Sequence, residues 1–165
     1  MRILGVDPGL AILGWSIVEA STGEVSLVEL GTIQTEAGNS MTKRLTLIFS
    51  GLNDLIDCFH PSVLALETLF ILKSAKTLAQ VGHSRGVILL SAGLKNLEVC
   101  EYAPRQIKMA LTGYGGAEKM QVQQMVKKLL NLRDIPRPDD AADAVAVALC
   151  HAQFSRSFPK SAVMV

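Results

Sequence analysis

A chain of 165 residues with a formal net charge of +1 and 49% apolar residues fits one domain and is long enough to bury a proper core. Its longest uncharged apolar stretches, 86–94 and 144–150, fall short of the roughly 20 residues a membrane span requires, so a mean hydropathy of +0.33 reads as core and no membrane is expected. Near-neutral charge neither demands nor excludes nucleic acid; any phosphate-binding surface has to come from local clustering of cations.

The first run, Ile3 to Val6, is strand-like and meets an acid at Asp7 at once, which is not the pattern of a signal peptide. Pro8-Gly9 and Ser21-Thr22-Gly23 are turn signals, so Ile3–Val6, Leu13–Glu19 and Glu24–Thr35 read as three strands of an antiparallel meander. An acid at the end of the first, apolar strand is an odd place for an unpaired charge, although an Asx-turn ahead of Pro-Gly is the ordinary explanation. Asn39-Ser40 caps a helix whose apolar positions, from Met41 to Phe59, recur at three and four. Pro61 stops it. Val63-Leu64-Ala65-Leu66 is apolar throughout, the mark of a central strand covered on both faces. Glu67 ends that strand, where open α/β sheets place their ligands; a solvated acid at a strand-to-loop transition is the plainer reading.

A second helix is predicted from about Ser74 to Lys95. Its Gly82, Gly86 and Gly93 fall near one face, and interior glycines each cost a helix about 1 kcal/mol relative to alanine. A close helix contact explains them, either within the monomer or at a two-fold dimer seam. Glu98–Tyr102 is a fifth strand. Arg105, Lys108 and Lys119 then gather around the glycine loop 112–116, in positions that suit phosphate contacts, whereas Lys127 and Lys128 read as solvated surface charges. The last helix begins near Asp139 and decays by Ser155, giving one domain over 1–155 and a C-terminal tail over 156–165. Cys58, Cys100 and Cys150 stand far apart in apolar context without CxxC or Cys/His metal spacing. They are expected to be buried free thiols of a reducing compartment, hence a cytoplasmic protein.

The last helix carries the pattern that joins the rest. Asp140 and Asp143 lie three apart, so their Cβ atoms stand about 5 to 6 Å from each other on one face, just before a segment apolar nearly all round. A helix cap plus a first-turn acid would account for that pair alone. Strands one and four, however, become neighbours if the crossover between them is right-handed, and Asp7 and Glu67 then meet the start of the last helix at one sheet edge. Four carboxylates in a small volume require cations to stay ionised. All-oxygen donors favour Mg²⁺ or Mn²⁺ over zinc.

Gly5-Val6-Asp7-Pro8-Gly9 with Leu13-Gly14-Trp15, Leu66-Glu67 with Phe70, Tyr102 to Lys108, Ala117-Glu118-Lys119 and Asp140 to Ala144 together closely resemble the RuvC family of Holliday junction resolvases, in order from Arg2 to about Ala152. The resemblance implies an α/β, ribonuclease H-like fold with a five-stranded mixed sheet flanked by helices, a homodimer, and a metal-dependent endonuclease. Such an enzyme nicks two opposed strands of a four-way DNA junction and leaves 5′-phosphate and 3′-hydroxyl ends. It further implies that Asp7, Glu67, Asp140 and Asp143 are the catalytic acids holding two Mg²⁺ or Mn²⁺ ions per subunit. Asp7 would bridge the ions, Glu67 and Asp140 completing one site and Asp143 the other. Lys108 and Lys119 match basic residues that support DNA binding and cleavage, Phe70 an aromatic that stacks on a base at the opened junction centre, and Arg105 is a further DNA-binding candidate. The branch-migration proteins RuvA and RuvB are the partners the resemblance implies. Thr68 stands where many relatives carry glutamine. An RNA–DNA hybrid nuclease would share the acids; a sugar-kinase or actin-like ATPase would need two such domains; a junction-binding protein without catalysis would not need the full acid set.

Overall fold

The computed structural model describes residues 1–68 and 75–157. Five strands and five helices follow in the order β1 (Arg2–Asp7), β2 (Ile12–Ala20), β3 (Val25–Gln34), α1 (Met41–Phe59), β4 (Val63–Glu67), α2 (Ala75–Leu94), β5 (Glu98–Tyr102), α3 (Pro104–Thr112), α4 (Lys119–Leu129) and α5 (Asp139–Ser157). The strands form one sheet in the order β3-β2-β1-β4-β5. The first three pair antiparallel, as the two turn signals require, and β4 and β5 join parallel to β1 through the α1 and α2 crossovers. The mixed sheet expected from the sequence is therefore present.

Period-two alternation divides the core. Ile3, Val63, Ala65 and Tyr102 face α3, α4 and α5, packing with Ile107, Val122, Val126 and the run from Val145 onward. Leu4, Val6, Leu64 and Leu66 face the other way, against Ile48, Leu52 and Ile56 of α1 and Ile88 and Ala92 of α2. Continuing the alternation by one residue puts both Asp7 and Glu67 on the α5 side. Helix α1 is capped as expected: the Ser40 hydroxyl accepts from the Lys43 main-chain N–H, and His60 ends the helix in the left-handed conformation at φ 47°.

Helix α5 is buried on every side from Ala144 to Ala152 and crosses β1 and β2 at close range. Glycine makes that approach possible. A Cβ on Gly5 would stand 2.2 Å from the Ala144 carbonyl oxygen, and one on Gly14 would stand 2.0 Å from that of Asp140.

Three local expectations need correction. Cys58 is exposed, not buried; Cys100 is half-buried and only Cys150 is fully enclosed, all three being free thiols. Cys58 sits near the solvent-facing end of α1, where a small side chain needs no core. Helix α5 runs on to Ser157, because Phe154 still packs against Tyr102. Asp140 is not the cap of α5: the helix begins at Asp139, which places Asp140 inside the first turn. Among the described residues no helix is long and apolar enough to cross a membrane.

Candidate functional site

Parallel pairing of β1 with β4 in the register Val6↔Leu66 brings Asp7 and Glu67 out of the sheet side by side. On the other flank of β1, Asp7 pairs with Gly14, the residue on which the main chain of Asp140 rests. The first turn of α5 is thereby set beside the end of β1, with Asp140 and Asp143 three apart along it. The four acids thus come from two strand ends and one helix start.

Their electrostatics report the convergence. Burial, followed by repulsion from Glu67, Asp143 and Asp140, pushes the Asp7 carboxyl from 3.8 up to about 7, with the Lys119 ammonium opposing. Glu67 is raised by burial and then by Asp143, while Lys108 and Lys119 pull it back. Asp143 is raised by burial, against its hydrogen bond and ion pair with Lys119, and by the neighbouring charges of Asp139 and Asp140. The Asp7 carboxyl has no hydrogen-bond partner among the described residues, so the Asx-turn explanation does not account for it.

The cationic side of the site is built by α3 and α4. The Glu118 main-chain N–H donates to Gln121 Oε1 at 2.8 Å, which squares off the start of α4 and leaves Lys119 as its first residue. From there Lys119 Nζ reaches Asp143 Oδ2 at 2.9 Å and Asp139 Oδ2 at 3.5 Å. Burial alone would lower the Lys119 ammonium, but these carboxylates hold it above its ordinary value. Glu67, Lys108, Lys119 and Asp143 line a cleft of about 200 Å³ with an apolar wall that includes Ile107, Val122 and Ala146. Arg105 is exposed, lies against Gly115 of the glycine loop, and is not among the residues that line this cleft. Phe70 lies outside the described residues.

Two residues of the site were not singled out from sequence. Asp139 holds Lys119 from one side and Arg137 Nη1 from the other at 2.6 Å; it reads as one more first-turn acid beside Asp140. Arg85 of α2 ion-pairs with Glu101 and reaches the main chain of Glu67. A charge set between the core positions Ser84 and Ile88 was the available signal.

The donor chemistry suits a hard divalent cation: carboxylate oxygens only, half-buried, mutually repelling. An ammonium already sits against one of them. The spacing is open, however, for among the described residues no three His, Cys, Asp or Glu side chains form a group that could hold a metal ion as they stand. Each of the three other acids nevertheless raises the Asp7 carboxyl.

A five-stranded mixed sheet with an antiparallel half, a parallel half and one buried helix across the junction defines a ribonuclease H-like α/β protein. The family model described as "Crossover junction endodeoxyribonuclease RuvC" matches residues 3–151. The chain is 48% identical over 154 residues to the protein of that name from Brevibacillus brevis, covering 93% of each chain. It is 49% identical over 151 residues to that of Caldanaerobacter subterraneus subsp. tengcongensis, covering 92% of each. Among solved structures it superposes on T. thermophilus RuvC in complex with Holliday junction substrate with a TM-score of 0.88 at 29% identity, covering 95% of this chain and 96% of that one. The chain belongs to the RuvC family of crossover junction endodeoxyribonucleases.

Proposed function

We propose that the protein resolves four-way DNA junctions by paired, symmetric nicks, using Asp7, Glu67, Asp140 and Asp143 as the carboxylates of a divalent-metal site. The observation that carries the reading is the raised Asp7 carboxyl, hemmed in by the three other acids, two of which, Glu67 and Asp143, line a cleft together with Lys108 and Lys119. Two Mg²⁺ or Mn²⁺ ions per subunit, held by these acids, would acidify the attacking water and neutralise charge on the departing 3′-oxygen in an in-line displacement. The chain's own part is positioning. Asp7 is fixed by the β1 ladder, Glu67 by β4, and Asp140 and Asp143 by the seat of α5 on Gly5 and Gly14. Lys108, half-buried beside Glu67, and Lys119 offer cations to the backbone of the scissile strand. Lys119 has a second role: it holds charge in balance at Asp143.

Paired nicks need two sites, and α2 offers the surface to join them. Leu78, Leu89, Leu90 and Leu94 are all exposed on it, and among the described residues nothing lies within 4 Å of a Cβ added at Gly82, Gly86 or Gly93. At 100° per residue these side chains share the outward half of the helix. Packing among the described residues of one chain does not explain the glycines; a second copy of the chain would. RuvA and RuvB would be its partners by family resemblance, and three free thiols would fit a reducing cytoplasm.

The test is cleavage of a synthetic four-way junction, a linear duplex and an RNA–DNA hybrid, with and without Mg²⁺ or Mn²⁺. Nicking confined to the junction and dependent on metal is expected. Asp7→Asn should abolish it while leaving junction binding intact or tighter. Wild-type cutting by that variant would remove Asp7 from the site.

A further inference from the structure

Arg85 stands at the boundary between the two faces of α2. Ser84, Ile88 and Ala92 on one side of it are fully buried, and the leucine- and glycine-bearing face on the other side is open. The Arg85 side chain is only 16% exposed and turns inward. Its Nη2 lies 2.5 Å from Glu101 Oε2, and its Nη1 donates, at the long distance of 3.4 Å, to the main-chain carbonyl of Glu67. Glu101 is opposite Leu66 in the β4–β5 ladder, so alternation directs its side chain to the α2 face while Glu67 points to the α5 face. One rigid fork therefore grips β5 by a carboxylate and β4 by the carbonyl of its last residue.

The grip falls where the ladder ends. After Glu67↔Tyr102 the next backbone tie among the described residues is Thr68 N–H to the Tyr102 carbonyl at 2.9 Å. A carboxylate one side chain away from a strand terminus is placed only as well as that terminus is placed, and a misplacement of about 1 Å in a reacting constellation costs on the order of 100-fold in rate. Arg85 is already neutralised by Glu101, so its position is that of an internal strut.

We propose that Arg85 is a positioning residue for Glu67: held by Glu101, it fixes the main chain at the end of β4 and ties that end to the helix carrying the subunit seam. The proposal rests on the reading of Glu67 as a metal ligand. It follows that loss of the strut loosens divalent-ion binding even where fold and dimer persist.

The experiment uses the full chain as wild type, Arg85→Gln, Arg85→Lys and Glu101→Gln. Mn²⁺ binding without DNA is followed by electron paramagnetic resonance, alongside thermal unfolding, sedimentation, and junction cleavage over a range of Mn²⁺ concentrations. Arg85→Gln and Glu101→Gln should bind Mn²⁺ about 10-fold or more weakly, the scale on which outer hydrogen-bond partners of metal ligands act. Their half-maximal Mn²⁺ for cleavage should rise in step, with most of the maximal rate recovered at high metal. Arg85→Lys, which keeps the charge and loses the fork, should fall between. Should Arg85→Gln fail to fold, Glu101→Gln and Arg85→Lys carry the comparison. Mn²⁺ affinity equal to wild type in the folded variants would overturn the proposal, whether or not the melting temperature drops. So would unchanged Mn²⁺ affinity with a flatter salt dependence of junction binding, which would make Arg85 a phosphate contact. A wild-type protein that binds no Mn²⁺ would instead overturn the nuclease reading, and this inference with it.

Discussion

Asp7 holds its proton to about pH 7 in the folded chain and gives it up near 3.8 in an unfolded one. The folded state therefore binds more protons between those values, and its stability falls as pH rises through that window. Glu67 and Asp143 are shifted in the same direction and add to the slope. Without divalent ions the protein should unfold at a higher temperature near pH 5 than near pH 8, and Mg²⁺ or Mn²⁺ should narrow the difference. Each pKa unit corresponds to about 1.4 kcal/mol, so the shift from 3.8 to about 7 sets an upper bound of about 4 kcal/mol on what Asp7→Asn, which removes the charge without changing the shape, should gain at pH 8 while losing cleavage. Calorimetry across pH with and without metal reads both effects; a metal-free wild type that is more stable at pH 8 than at pH 5 would contradict the buried-acid account. Lys119 acts on the same balance from the other side. Its hydrogen bond and charge hold Asp143 down, so Lys119→Ala should move the acidic limb of the cleavage–pH profile to higher pH, besides weakening and flattening the salt dependence of junction binding. An acidic limb that stays in place would leave Lys119 as a phosphate contact alone.

At the scale of elements, the seat of α5 decides whether residues remote in sequence meet at all. The Asp140 carbonyl occupies the space a side chain on Gly14 would need, and main chain cannot turn aside as a flexible side chain can. Gly14→Ala should lift the first turn of α5, destabilise the fold by about 1 to 3 kcal/mol, and weaken metal binding and cleavage together; thermal unfolding beside Mn²⁺ titration measures both. What was legible in the sequence follows from the same geometry. The run Val63–Leu66 declares a strand covered on both faces, and a right-handed crossover is nearly obligatory, so Asp7 beside Glu67 could be read from one chain. The bounds of β5 and the cap of α1 were equally plain, since each depends on neighbours in sequence. Register was not legible, so Gly14 appeared as part of a motif and its role as the platform for Asp140 emerged only from the β1–β2 pairing. Arg85 was hidden for a related reason: its partner Glu101 lies on a different element, and the signal along the helix, a charge between the core positions Ser84 and Ile88, does not say what the guanidinium grips. Cys58 was misplaced because apolar neighbours along a helix do not say which way the residue itself faces.

For the whole molecule, the open face of α2 is where stability and assembly pull in opposite directions. Glycines inside a helix cost about 1 kcal/mol each relative to alanine, and Gly86 has free space around it among the described residues, so none of them repays that cost. Gly86→Ala should accordingly raise the melting temperature of the isolated subunit. In the proposed dimer the added methyl would stand where a second backbone has to approach, and the dissociation constant should rise at least about tenfold, a change of about 1.4 kcal/mol. Leu90→Glu, on a residue already 55% exposed, should leave the subunit folded and also prevent pairing, because a carboxylate would be buried without a partner. Both variants would keep all four acids, and so each monomer should still bind Mn²⁺, yet the two nicks of a junction should lose their pairing. Sedimentation velocity and a supercoiled cruciform substrate, on which single nicks and paired cuts give different products, separate these outcomes. A Gly86→Ala protein that remains dimeric and still cuts in pairs would move the seam off this face of α2.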